Sequence, residues 1–125
     1  MEKPSIHQTV MPYLILTDVE TFIAFTKQVF DAEELSRHPD AEGAIRHAEI
    51  KIGESTIMMG QSTGDYPPMP AGLFVYVKNA DECYHKALEA GASSINELSD
   101  QEYGRTAGIL DPCNNTWWIT SVEHL

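Results

Sequence analysis

The feature that most constrains this chain is an internal repeat. The segment Leu14–Phe22 (LILTDVETF) lines up without a gap with Val75–Cys83 (VYVKNADEC). Each is a run of strand-forming residues that ends on helix N-capping chemistry, Thr17-Asp18 in the first and Asn79 in the second. In the first half, Val19, Phe22, Ile23, Thr26, Val29 and Phe30 then recur at helical spacing and predict a helix that stops near Asp31. In the second, Ala80, Cys83, Tyr84, Ala87 and Leu88 do the same, and Gly91 is a natural stop. Strands are expected at Val10–Leu16, Glu33–Arg37, Ala44–Ile52 and Ser55–Met59, with His38-Pro39-Asp40 and Gly53-Glu54 as turns. Their counterparts are Leu73–Val77, Ser93–Leu98, Arg105–Leu110 and Thr116–Ser121, with the turn Asp111–Asn115 before the last. Both halves therefore read strand–helix–strand–strand–strand. The repeat units span about 9–60 and 71–122, and a Gly/Pro/Ser-rich linker at about 60–72 joins them. One such unit leaves a sheet face uncovered; two units can curl their sheets around a shared cavity, helices outside.

Composition narrows the function classes. A chain of 125 residues is the size of one domain, and 42% hydrophobic residues suffice for a core. The formal charge of −11 repels phosphate, so nucleic acid and anionic membrane surfaces are not expected partners. No apolar run reaches the ~20 residues that cross a bilayer. The opening MEKPSIHQTV lacks a signal-peptide core, and Cys83 and Cys113 are too few for a disulfide framework. The chain reads as a single soluble cytoplasmic domain over 1–125.

Four segments together, MPYLILTDVETFIAFTKQVFDAEEL, RHAEIKIGESTIMM, LFVYVKNADECYHKALEAGA and QEYGRTAGILDPCNNTWWI, resemble the vicinal oxygen chelate superfamily. This is the glyoxalase/bleomycin-resistance/extradiol dioxygenase fold, and the closer likeness is to its PhnB-like bacterial branch. The resemblance runs from about Val10 to Thr120 and implies an α+β fold of two βαβββ units in an incomplete eight-stranded barrel. Two departures stand out. Phe30-Asp31 replaces a common Phe-Gly, and Asp111-Pro112-Cys113-Asn114 replaces a common Asp-Pro-Phe-Gly. Asp and Asn are the non-glycine residues that best tolerate positive φ, so neither change should strain the fold.

The resemblance also implies what a metal site would need: His and Glu side chains from the first and last strands of each unit. By alignment on the turns, the two His positions fall on Met11 and on Gly72, with Phe74 next on the same face. The Glu positions fall on Trp118 and on either Ile57 or Met58. None supplies a hard-metal donor, so no cofactor is expected. Strand alternation instead turns Met11, Tyr13, Ile15, Gly72, Phe74, Tyr76, Trp118 and Thr120 toward the cavity. Met11, Tyr13, Phe74, Tyr76 and Trp118 are the candidate ligand-binding residues, and core packing is the alternative for the same side chains.

His47 and Glu49 share one strand face with Ile45 and Lys51. They are possible polar contacts for a ligand; an ordinary polar or dimer-facing surface is the reading favoured here. His7, His38, His85 and His124 read as terminal, turn or helix-surface residues. Neither a nucleophile triad nor a phosphate loop is visible. Tyr66–Pro70 is either a lid or a stiff linker. The expected function is binding of an unidentified small organic molecule by a homodimer. The alternative is a metal-dependent lyase, isomerase or dioxygenase.

Overall fold

The computed structural model describes residues 1–123. Its elements run β1 (Tyr13–Leu16), α1 (Val19–Phe30), β2 (Glu33–Pro39), β3 (Ile45–Ile52), β4 (Ser55–Gln61), β5 (Gly72–Tyr76), α2 (Ala80–Glu89), β6 (Ser93–Gln101), β7 (Gly104–Leu110) and β8 (Thr116–Ser121). They form two four-stranded sheets, β1-β4-β3-β2 and β5-β8-β7-β6. The two orders are the same four roles repeated, and the sheets are not closed into a barrel, as two βαβββ units in an incomplete barrel require.

The helices start and stop where the sequence indicates. The Asp18 side chain accepts from Thr21 N at the head of α1, and the Asn79 side chain accepts from Glu82 N at the head of α2. The expected stripe of α1 is buried, with Phe25 added to it. Asp31 and Asn114, which stand in the two family glycine positions, have φ of 56° and 68° and are the only non-glycine residues at positive φ among those described.

Several strand boundaries differ from expectation; β3 starts at Ile45, β4 runs to Gln61, β5 spans Gly72–Tyr76 and β7 starts at Gly104, and the changes in β1, β2 and β6 are as follows. The first strand begins at Tyr13 rather than Val10, because Pro12 offers no N–H to the ladder and contributes only its carbonyl, to Met58 N. Met11 thus precedes the strand. His38 and Pro39 extend β2, and the turn falls at Asp40–Gly43 instead. An edge strand tolerates a terminal proline because its outward N–H needs no partner. Strand β6 runs to Gln101, past the expected Leu98.

The units pack through their helical faces. Trp117 of β8 is 2% exposed, and its ring lies 4.5 Å from Phe30 and 6.3 Å from Phe22 of α1. Cys83 of α2 donates to Val29 O, and Cys113 donates to Asp18 O. Leu14, Leu16, Ala48, Ile50, Ile57 and Met59 fill the first sheet's half of this core; Ala107, Ile109 and Ile119 fill the second's. Each sheet consequently keeps one face clear of its helix. The linker crosses the free edge of β1, where Met69 N donates to Ile15 O.

Candidate functional site

The clear face of the second sheet is aromatic. Register pairs Phe74 with Trp118 and Tyr76 with Thr120, which puts these four on one face. Phe74, Tyr76, Tyr103 and Trp118 are 50%, 57%, 57% and 37% exposed, although large rings are normally among the most buried side chains. Phe74 sits edge-on to Tyr76 with centroids 5.1 Å apart and lies 6.5 Å from Tyr103. The Trp118 ring folds down over Gly108: a Cβ there would lie 2.6 Å from Cζ3, so only glycine allows the pose. Beside that ring is an open depression of about 540 Å³, lined by Trp118, Tyr103 and Ile95 with Asn96, Ser99 and Thr106. Its far wall is polar, where the sequence indicated an apolar aromatic cavity throughout.

The clear face of the first sheet differs in character. Tyr13, half exposed, points its hydroxyl at His47 Nδ1, 3.1 Å away. His47 Nε2 meets Glu49 Oε2 at 2.8 Å, and the other carboxylate oxygen meets His7 Nε2 at 2.6 Å. Glu49 is buried because the N-terminal segment lies over it: Gln8 donates to Thr56 O, and Thr56 Oγ1 donates to Ile6 O. Burial alone would push the Glu49 carboxyl up, but hydrogen bonds from His47 and His7 and their charges outweigh it and hold it below the usual range. His38 stands opposite His47 on the neighbouring strand, ring centroids 5.9 Å apart. Ser36, opposite Glu49, has a buried hydroxyl with no partner among the described residues.

The structure therefore brings Tyr13, His47 and Glu49 together on one sheet and Phe74, Tyr76 and Trp118 on the other. Met11 is half-buried and belongs to neither cluster. Reasoning from sequence missed His7, His38, Gly108 and Tyr103. His7 and Glu49 are 42 positions apart, and only the fold of the N-terminal segment unites them. His38 was assigned to a turn that lies further on. His85 remains on a helix, and His124 lies outside the described residues.

A divalent metal would need nitrogen or oxygen donors at the strand positions the resemblance singles out. The ladders Tyr13↔Met58 and Phe74↔Trp118 settle the open register: Met58, not Ile57, corresponds to Trp118. The four positions thus hold Met11, Met58, Gly72 and Trp118, which do not fit a hard divalent ion. Among the described residues, no group of three or more His, Cys, Asp or Glu side chains is arranged to hold a metal.

Comparison with known proteins agrees with this architecture. Residues 5–119 match the model of the Glyoxalase/Bleomycin resistance protein/Dioxygenase superfamily, and the chain belongs to that family. Among solved structures it is similar to TioX from Micromonospora sp. ML1, with a TM-score of 0.73 and 25% identity over 94% of this chain and 98% of that one. The PhnB protein from Bacillus cereus gives a TM-score of 0.72 at 17% identity, covering 92% of this chain and all of the other (100%). TnmS3, an antibiotic binding protein from Streptomyces sp. CB03234, gives 0.71 at 18% identity, covering 95% and 98%. At such identities the last two speak for the fold alone. Among the described residues, no helix is long and apolar enough to cross a membrane.

Proposed function

We propose that this chain is a small-molecule-binding member of its family, working without a catalytic metal, and that a planar organic ligand lies against the aromatic face of the second sheet. The observation that carries the reading is the exposure of Phe74, Tyr76, Tyr103 and Trp118 beside one another on the second sheet, with Tyr103 and Trp118 lining a depression of about 540 Å³. That volume is within the usual range of small-molecule sites, and a contiguous exposed apolar patch on a small domain marks a binding surface. Aromatic planes supply contact area, while Asn96, Ser99 and Thr106 on the far wall supply orienting hydrogen bonds. TnmS3, built on the same fold, is an antibiotic binding protein, which is consistent with ligand capture rather than turnover. Met11, Met58, Gly72 and Trp118 at the metal-ligand positions weigh against a metal-dependent lyase, isomerase or dioxygenase.

The reading includes a cytoplasmic homodimer. A second copy laid over the clear sheet faces would turn an open depression into an enclosed site, and the two reduced, buried cysteines suit a reducing compartment. The test is a thermal shift against a panel of small planar aromatic molecules. A ligand at a hundredfold excess over its Kd stabilises by ~2.7 kcal/mol, which is readily seen. Trp118→Ala should abolish the shift. A stabilising ligand whose effect is unchanged in Trp118→Ala would place the site elsewhere.

A further inference from the structure

The first sheet's polar cluster has a direction. The ionised Glu49 carboxylate can only accept hydrogen bonds, so Nε2 of both His7 and His47 must donate to it at 2.6 and 2.8 Å. When His47 carries one ring proton, that proton is then on Nε2, and Nδ1 is a bare acceptor. The Tyr13 hydroxyl, 3.1 Å from Nδ1, donates to it. The chain Glu49–His47–Tyr13 runs from a buried anion to a half-exposed hydroxyl. A carboxylate fixing an imidazole tautomer against a hydroxyl is the arrangement that activates hydroxyl groups in acid–base and nucleophilic sites.

The surroundings keep that hydroxyl accessible. Residue 60 of the adjoining strand is glycine, and a Cβ there would lie 3.4 Å from the Tyr13 oxygen and 2.6 Å from Arg46 O. Strand β4 contributes only uncharged Thr56, Met58 and Gly60 to this face. The titratable groups facing His47 are Tyr13 from β1, His38 from β2 and Glu49 from its own strand; His7 from the N-terminal segment joins through Glu49, and Lys51 stands one rung further along β3.

We propose that Tyr13 is a proton-accepting hydroxyl for a small molecule that carries a weakly acidic O–H, a phenol or an enol. In the transfer, the ligand O–H bond breaks and its proton passes to the Tyr13 oxygen. The Tyr13 proton moves at the same time to His47 Nδ1. The ligand is left as an oxyanion, and His47 becomes an imidazolium held by the Glu49 carboxylate; no electron changes hands. Tyr13 touches the ligand, and Glu49 acts through His47 as a positioning residue. The assignment takes only the ligand's size from the small-molecule reading.

The relay is tested first with benzenesulfonyl fluoride on the intact protein, with labelled tyrosines located by peptide mass. Tyr66, Tyr76 and Tyr103 are internal controls, since at 66%, 57% and 57% exposure they are all more open than Tyr13 at 48%. Accessibility alone makes Tyr13 the slowest of the four. The relay makes it the fastest, by roughly tenfold to a hundredfold, toward the lower end of general-base assistance. That advantage should vanish in folded His47→Gln, while Glu49→Gln reduces it. Tyr13 labelled no faster than Tyr103 in the wild type, or an advantage that survives His47→Gln, overturns the relay. The second arm is 4-nitrophenol just below its solution pKa. Wild type should increase the visible phenolate band, and Tyr13→Phe should not; no increase with wild type overturns the ligand class. Loss of all Trp118-dependent binding with the Tyr13 labelling advantage intact would sink the aromatic-face reading alone, and the reverse pattern would sink the relay alone.

Discussion

Asp111 holds the turn that aims β8, and its replacement should be among the most damaging single changes in the chain. The carboxylate is 3% exposed and accepts from four donors. Oδ1 takes Cys113 N at 2.8 Å and Asn115 N at 3.0 Å; Oδ2 takes Asn115 Nδ2 at 3.0 Å and Trp117 Nε1 at 2.8 Å. Asn115 and Trp117 are themselves 0% and 2% exposed, so Asp111→Ala strands their donors away from water. A hydrogen bond to a charged group contributes about 1.5–3 kcal/mol, and the terms are not additive where a turn can relax. A loss of about 3–5 kcal/mol is expected, against a total of about 5–15 for a domain. In urea, with a slope of about 1–3 kcal/mol/M, the midpoint should fall by about 1 M or more. Asp111→Asn keeps the shape and one acceptor oxygen but turns an NH₂ toward a donor, so about half the loss should remain. A cost below about 1 kcal/mol for Asp111→Ala would show that these bonds do not set the turn.

Other outcomes follow from the same reasoning. The depressed Glu49 carboxyl binds its proton less readily folded than unfolded, so its stabilisation is present above the unfolded pKa of about 4.3 and is lost as pH falls through the folded value. Glu49→Gln should therefore flatten the acid limb of Tm against pH, and superimposable acid limbs would contradict this. Burial pushes the Cys83 and Cys113 thiols up to about 11, with nearby carboxylates adding to the effect. Both should resist a disulfide reagent at mildly alkaline pH until the protein unfolds; rapid reaction of either in the native state would show that its helix-side packing opens. Because the four metal positions lack hard donors, Ni²⁺, Zn²⁺, Mn²⁺ and Fe²⁺ should leave Tm unchanged. A metal-dependent rise that is lost in His47→Ala would place a metal site in the polar cluster.

Much of the fold was legible because it rests on local signals. The stripe Val19–Phe30 and the caps Asp18 and Asn79 locate both helices. The family glycine positions predicted the left-handed turns now seen at Asp31 and Asn114. Alternation correctly paired Phe74 with Tyr76 on one face. What it could not show is which side chains cover a face. Glu49 looked like a surface residue because nothing local indicates that residues 6–8 fold back over it. The pose of Trp118 depends on Gly108 across the ladder, a close approach that no periodicity encodes. The start of the first strand was misplaced because apolar Val10 and Met11 suggested pairing, while Pro12 interrupts it and Val10 is 81% exposed.

The central claim is that ligand is held on the aromatic face of the second sheet, and chemical-shift mapping tests it most directly. ¹⁵N-labelled protein titrated with a planar aromatic molecule that raises Tm should show its largest saturable shifts at the Trp118 indole N–H and at the amides of Phe74, Tyr76, Thr106 and Gly108, with the buried Trp117 indole nearly still. Shifts centred on the helices or on Tyr66–Pro70, with the Trp118 indole unmoved, would contradict the account.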